Sequence, residues 1–107
     1  ADYFEKYDLL ILPTTAVSAY EHQTPPTEIA GQKSETVAGI SYGAIPTTMA
    51  FNISWNPAAS MPVGFDVDGM PIGLQVVGDL RDEATVLQAC AAYEQAQPWA
   101  HTMPPVS

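Results

Sequence analysis

Residues 39–43 read Gly39-Ile40-Ser41-Tyr42-Gly43, a G-x-S-x-G pattern. In serine hydrolases that pattern marks a nucleophile held on a strained turn between a strand and a helix. Asp66, Asp68, Asp79 and Asp82 follow, then His101, so the chain order Ser…Asp…His is available. The chemistry would be acyl transfer, with the imidazole taking the serine proton and a carboxylate fixing its tautomer. The surroundings argue against it. Thr36-Val37-Ala38 is a weak strand, too little to deliver a nucleophile onto a sheet. His101 lies in the proline-rich stretch PWAHTMPPVS, and His22, the other imidazole, sits in a polar stretch before Ser41. We read the match as small residues in a tight turn, and a small serine hydrolase using Ser41 stays as an alternative.

Other chemistry-bearing residues have simpler readings. There is no H-E-x-x-H, no pair of cysteine ligands and no G-x-x-x-x-G-K, so no metal and no phosphate-bearing cofactor is expected. Asp66 and Asp68 flank a turn and are read as solvated turn acids. Asp79, Asp82 and Glu83 supply negative charge to a helix start. Cys90 falls on an apolar helical face and is read as a small core residue. Gln75 is the odd residue, an amide between Leu74 and Val76 in an apolar strand. If buried, it must hydrogen-bond, and we read it as a structural amide pinning a neighbouring loop.

The elements that position these residues are legible from periodicity. Asp8-Leu9-Leu10-Ile11-Leu12, closed by Pro13, reads as a strand over about 8–14, and its lack of alternation predicts cover on both faces. Residues 16–36 are polar and proline-containing and read as a long surface loop. Tyr42, Ile45, Met49 and Ile53 recur at steps of three and four, predicting one apolar stripe and a helix over about 46–54 that starts at Pro46. Met61, Val63 and Phe65 alternate, as do Ile72, Leu74 and Val76, around an Asp68-Gly69 pair suited to positive φ. This predicts a hairpin over 58–65 and 72–78. Pro62 lacks an N–H and must avoid a ladder partner or sit at a bulge. Val86, Ala89, Cys90 and Tyr93 form one face of a helix over about 82–96, capped by Asp82 and packed on that hairpin. Residues 98–107 form a proline-rich tail. The whole of 1–107 is read as a single α/β segment.

Three Lys and Arg stand against twelve Asp and Glu in 107 residues, a formal charge of −9. Such a chain repels phosphate backbones and anionic lipid, so neither nucleic acid nor membrane is expected as a partner. The longest apolar run is too short to span a bilayer, and no secretory signal pattern opens the sequence. A single cysteine favours a reducing compartment, and the expected localisation is cytoplasmic.

Several runs are more specific than periodicity. Asp8 to Thr15, Phe51-Asn52-Ile53, Pro57 to Gly64, Asp68-Gly69-Met70-Pro71-Ile72-Gly73-Leu74-Gln75 and Asp82-Glu83-Ala84-Thr85 resemble, in order and spacing, the C-terminal end of amidase-signature enzymes. The resemblance implies the C-terminal part of that family's mixed-sheet fold. It also implies hydrolysis of a carboxamide to carboxylate and ammonia by a Ser–cis-Ser–Lys triad with a glycine- and serine-rich oxyanion loop. The only lysines here, Lys6 and Lys33, have no such loop beside them, so no catalytic residue is expected in this chain. What the resemblance assigns to these residues is scaffold and part of the substrate wall, at Tyr42, Ile45 and Met49. Glutamine-using relatives that serve transfer RNA amidation carry an acidic residue near the position of Ile45. An isoleucine there favours an apolar or aryl acyl group. The expected partners are the remainder of the amidase or a second copy of the chain, plus a small amide. A non-catalytic interaction domain is the alternative.

Overall fold

A computed structural model describes residues 3–21, 24, 26–37 and 40–104, without the side chains of residues 37 and 40–42. His22 and Gly39 lie outside the described residues, as do the side chains of Ser41 and Tyr42. In chain order the elements are β1 (Leu9–Pro13), β2 (Glu28–Ile29), β3 (Gln32–Lys33), β4 (Thr36–Val37), β5 (Ile40–Ser41), α1 (Pro46–Ser54), β6 (Ala58–Phe65), β7 (Pro71–Gly78) and α2 (Glu83–Ala96).

β6, β7 and β1 form one antiparallel sheet with β7 in the centre. The composition of β7 suits that place: Gln75, Val76, Val77 and Gly78 are all buried. Side chains alternate across a strand, so Leu74, Val76 and Gly78 face one side and Gly73, Gln75 and Val77 the other. On the first side, Val76, Met61 and Val86 are buried together, with Leu9, Ala59, Leu74, Ala89, Cys90, Tyr93 and Trp99 packed round them. The apolar stripe of α2 thus lies on the hairpin, as its spacing predicts. Gly78 permits the close approach, since a Cβ there would stand 2.7 Å from Val86 Cγ2. The Asp82 carboxylate caps α2, accepting from the Thr85 N–H at 3.3 Å and the Thr85 hydroxyl at 2.6 Å. Beyond α2, Trp99 stacks at 5.7 Å from Tyr93 and ties the start of the proline-rich tail to the core.

On the second side, α1 is held by polar contacts. The Gln75 amide, 4% exposed, donates to the Thr47 carbonyl at 3.3 Å. The Thr47 hydroxyl donates to the Thr14 carbonyl at 2.6 Å. Gln75 is therefore the structural amide its context predicts, with α1 rather than a loop as the element it pins. Pro46 stands at the first turn of α1, and Trp55 closes the helix in the left-handed conformation at φ 68°.

Several expectations are corrected. Among the described residues β1 is an edge strand of this sheet, and they leave Ile11, on the α2 side, 57% exposed rather than covered. Its apolar run reports what both faces tolerate, while α2 reaches only as far as Leu9. The stretch 16–36 is not simply loop, because β2 and β3 pair across Ala30 and Gly31, both at positive φ. The stripe proposed for α1 is broken: Tyr42 and Ile45 precede the helix, so helical spacing does not relate them to Met49, and Ile53 is 76% exposed. Every pairing among the described residues is antiparallel.

The β6–β7 turn follows its sequence signal and adds a detail. Gly69 sits at φ 80°, and the Asp66 carboxylate accepts from the Asp68 and Met70 N–H groups, each at 2.9 Å. The Met70 N–H holds this carboxyl below the usual aspartate range against desolvation, with smaller help from the Ser18 hydroxyl and the Asp68 N–H. A carboxyl with a depressed folded-state value stabilises above its unfolded value and loses that contribution as pH falls through the folded one. The urea midpoint should therefore drop more steeply below about pH 3.9 in the wild type than in Asp66→Asn. Parallel curves would show that these turn bonds contribute nothing.

Candidate functional site

The bend in β6 makes the site. Pro62 cannot donate to the ladder, and the register shifts between Pro62 and Gly64, the bulge that its ring chemistry predicts. Beside the bulge, on the α1 side of the sheet, Gly73 presents no side chain. The chain leaving β1 turns over this gap, anchored by the Thr14 N–H to the Gly73 carbonyl at 3.1 Å and the Ala16 N–H to the Ala44 carbonyl at 2.9 Å. The result is an open cleft of about 450 Å³.

Its floor is Gly73, Ser60 and Thr14, whose two hydroxyls meet at 2.6 Å. One wall is the strand-exit segment, with Thr15, Val17, Ser18, Ala19 and Tyr20. The other is Pro62, Pro71 and Ile72, and Ala44 and Ile45 close the back. The lining contributed by the described residues is apolar with neutral hydroxyls and contains no Asp, Glu, Lys, Arg or His. A cleft of this composition binds an apolar body and orients it through a few neutral hydrogen bonds.

Of the residues assigned to the substrate wall, Ile45 lines this cleft. Met49 is half-buried on α1 and does not border it, and the side chain of Tyr42 lies outside the described residues. Thr14, Ser60 and Gly73 escaped the sequence reading, because they are far apart in the chain and only the register brings them together. Their one local signal is the glycine at position 73, in a strand otherwise rich in large apolar residues.

The other candidates have structural roles. His101 is exposed in the turn after α2, and Lys6 and Lys33 are exposed. Asp82 caps a helix and Asp66 builds a turn. Burial raises the Cys90 thiol above its ordinary value, which disfavours the nucleophilic thiolate. Among the described residues, no group of three His, Cys, Asp or Glu side chains is placed to hold a metal ion, and no helix is long and apolar enough to cross a membrane.

Comparison with known proteins gives one consistent result. The Amidase family model matches residues 1–87. The chain is 37% identical over 101 residues to a component of the glutamyl-tRNA(Gln) amidotransferase of Thermosynechococcus vestitus, covering 94% of this chain and 19% of that protein. It is 38% identical over 107 residues to 6-aminohexanoate-cyclic-dimer hydrolase of Paenarthrobacter ureafaciens, covering 92% and 20%. The solved structure of a bacterial aryl acylamidase of the amidase signature enzymes superposes with a TM-score of 0.78 at 33% identity, over 92% of this chain and 20% of that one. The chain thus spans about one fifth of the length of the relatives it matches.

Proposed function

The chain belongs to the amidase signature family, and from that premise we propose that it forms the C-terminal scaffold and one substrate wall of a carboxamide-hydrolysing enzyme. The reaction is hydrolysis of a carboxamide to a carboxylate and ammonia. The Ser–cis-Ser–Lys triad and the oxyanion loop that the family resemblance implies are carried outside these residues. An activated serine with preorganised backbone donors supplies the rate there, and the present residues contribute shape and burial.

The observation that carries this reading is the uncharged cleft closed by Ile45. Free glutamine brings an ammonium and a carboxylate, and each would be desolvated without an opposite charge, which is costly. An amide with an apolar or aryl acyl group meets no such penalty. The reading therefore favours an amidase over a glutamine amidotransferase. The exposed Ile11, Ile53, Trp55 and Phe65 supply apolar surface that the rest of the enzyme covers, or a second copy when the chain is alone. No nucleic acid, membrane or cofactor takes part, and the setting is the cytoplasm.

Ammonia release from a panel of carboxamides by the full-length protein tests the reading. Aryl and alkyl amides should be turned over in preference to glutamine. Preference for glutamine, or no turnover of any amide, would overturn it.

A further inference from the structure

We propose that the Thr14–Ser60 hydroxyl pair on the floor of the cleft is a specificity element that reads one neutral polar atom on an otherwise apolar ligand. The inference rests on the amidase reading for the identity of the ligand as a substrate, and on the geometry alone for its recognition.

Two hydroxyls 2.6 Å apart hold two protons between them, and one proton is used in their mutual bond. The second O–H has no partner in the chain among the described residues. It remains available to an acceptor, while the lone pairs remain available to a donor. Polarisation along such a pair strengthens the outward bond. The pair is held in place from below and from the side. A Cβ at Gly73 would stand 2.7 Å from Ser60 Oγ and 2.8 Å from Thr14 Oγ1, so only glycine lets the two oxygens meet there. The backbone of Thr14 is fixed at both ends, its N–H on the Gly73 carbonyl and its own carbonyl under the Thr47 hydroxyl. Ser60 stands opposite Gln75 in the ladder, and Gln75 is itself tied to α1.

The rest of the lining decides the class of ligand. Val17, Ala44, Ile45, Pro62 and Ile72 offer apolar contact, and none of the described lining residues carries a charge. A hydroxyl, carbonyl or carboxamide on the ligand finds a partner here. A carboxylate or an ammonium can hydrogen-bond here too but meets no opposite charge among the described lining residues, and the chain's charge of −9 adds repulsion for the former.

Three matched probes test this in the full-length protein: phenylacetamide, para-hydroxyphenylacetamide and para-carboxyphenylacetamide, with dissociation constants measured by calorimetry. The hydroxylated probe should bind about tenfold tighter than phenylacetamide, the scale of one net hydrogen bond, and the carboxylated probe more weakly than either. In Ser60→Ala, and independently in the isosteric Thr14→Val, the ratio between hydroxylated and plain probes should fall to about one. A ratio that survives both substitutions, a carboxylated probe that binds as tightly as the hydroxylated one, or no binding of any probe overturns the inference. Ammonia release is followed alongside. A binding ratio that responds to Ser60→Ala without any hydrolysis would sink the amidase reading and leave the hydroxyl pair standing.

Discussion

Replacing Val76 with aspartate is expected to abolish the cooperative fold. Val76 is 1% exposed at the centre of the central strand, opposite Ile11 on one side and Ala59 on the other, and packed with Met61 and Val86. A carboxylate there would be set among Met61, Val86 and the apolar and aromatic side chains packed round them. Burying an unpaired polar or charged group belongs to the short list of changes that cost more than about 4 kcal/mol. A domain of this size holds only about 5–15 kcal/mol in total. Val76→Ala, by contrast, loses about 2 kcal/mol from removed apolar contact. Thermal melts followed by circular dichroism compare the two. An aspartate variant that melts cooperatively within a few degrees of the wild type would contradict the packing described here.

Gln75→Leu is the second large effect, and it reaches from stability into function. Leucine keeps most of the volume but removes the side-chain bond to the part-buried Thr47 carbonyl, a loss of about 0.5–1.5 kcal/mol. The loss is concentrated on α1, because Thr47 also carries the bond to Thr14. Amide hydrogen exchange in 46–54 should accelerate more than in 83–96. Ile45 sits at the head of α1 and Thr14 on the floor of the cleft, so KM for an aryl amide in the full-length protein should rise. A leucine variant as stable as the wild type, with unchanged exchange in α1, would mean that the amide is not pinning the helix.

How much of this the sequence discloses depends on how local the cause is. Pro46 announces the start of α1, the Asp68-Gly69 pair announces the hairpin, Pro62 announces the bulge, and Asp82 with Glu83 announces α2. Each of these is one residue or a neighbouring pair acting through its own φ, its missing N–H or its own side chain. The short β2–β3 hairpin escapes because two residues carry no period, although Ala30-Gly31 at positive φ marks its turn. The edge position of β1 escapes because an apolar run looks the same whether a neighbouring layer covers it or not. The α1 stripe misleads because Tyr42 and Ile45 count as helical positions only if the helix begins before Pro46. The cleft is the least legible feature. Thr14 and Ser60 lie 46 residues apart and meet only through the registers of β1 and β6 on β7. No short window along the chain contains both.

The family resemblance, carried by runs such as Asp68 to Gln75, is matched by the family model and by the relatives. Those runs are also the structurally busiest: the turn, the glycine of the cleft floor and the amide that pins α1 all fall inside them. That coincidence gives the resemblance a physical basis. The glycine at position 73 leaves room for two hydroxyls, and the glutamine two residues on is the donor that the neighbouring helix requires.

The central claim is that these residues shape a site whose nucleophile is supplied elsewhere. Fluorophosphonate labelling with parallel ammonia assays, on the isolated 107-residue chain and on the full-length protein, tests it most directly. Labelling and turnover are expected in the full-length protein, with neither in the isolated chain. Labelling of Ser41 together with amide turnover by the isolated chain would contradict it.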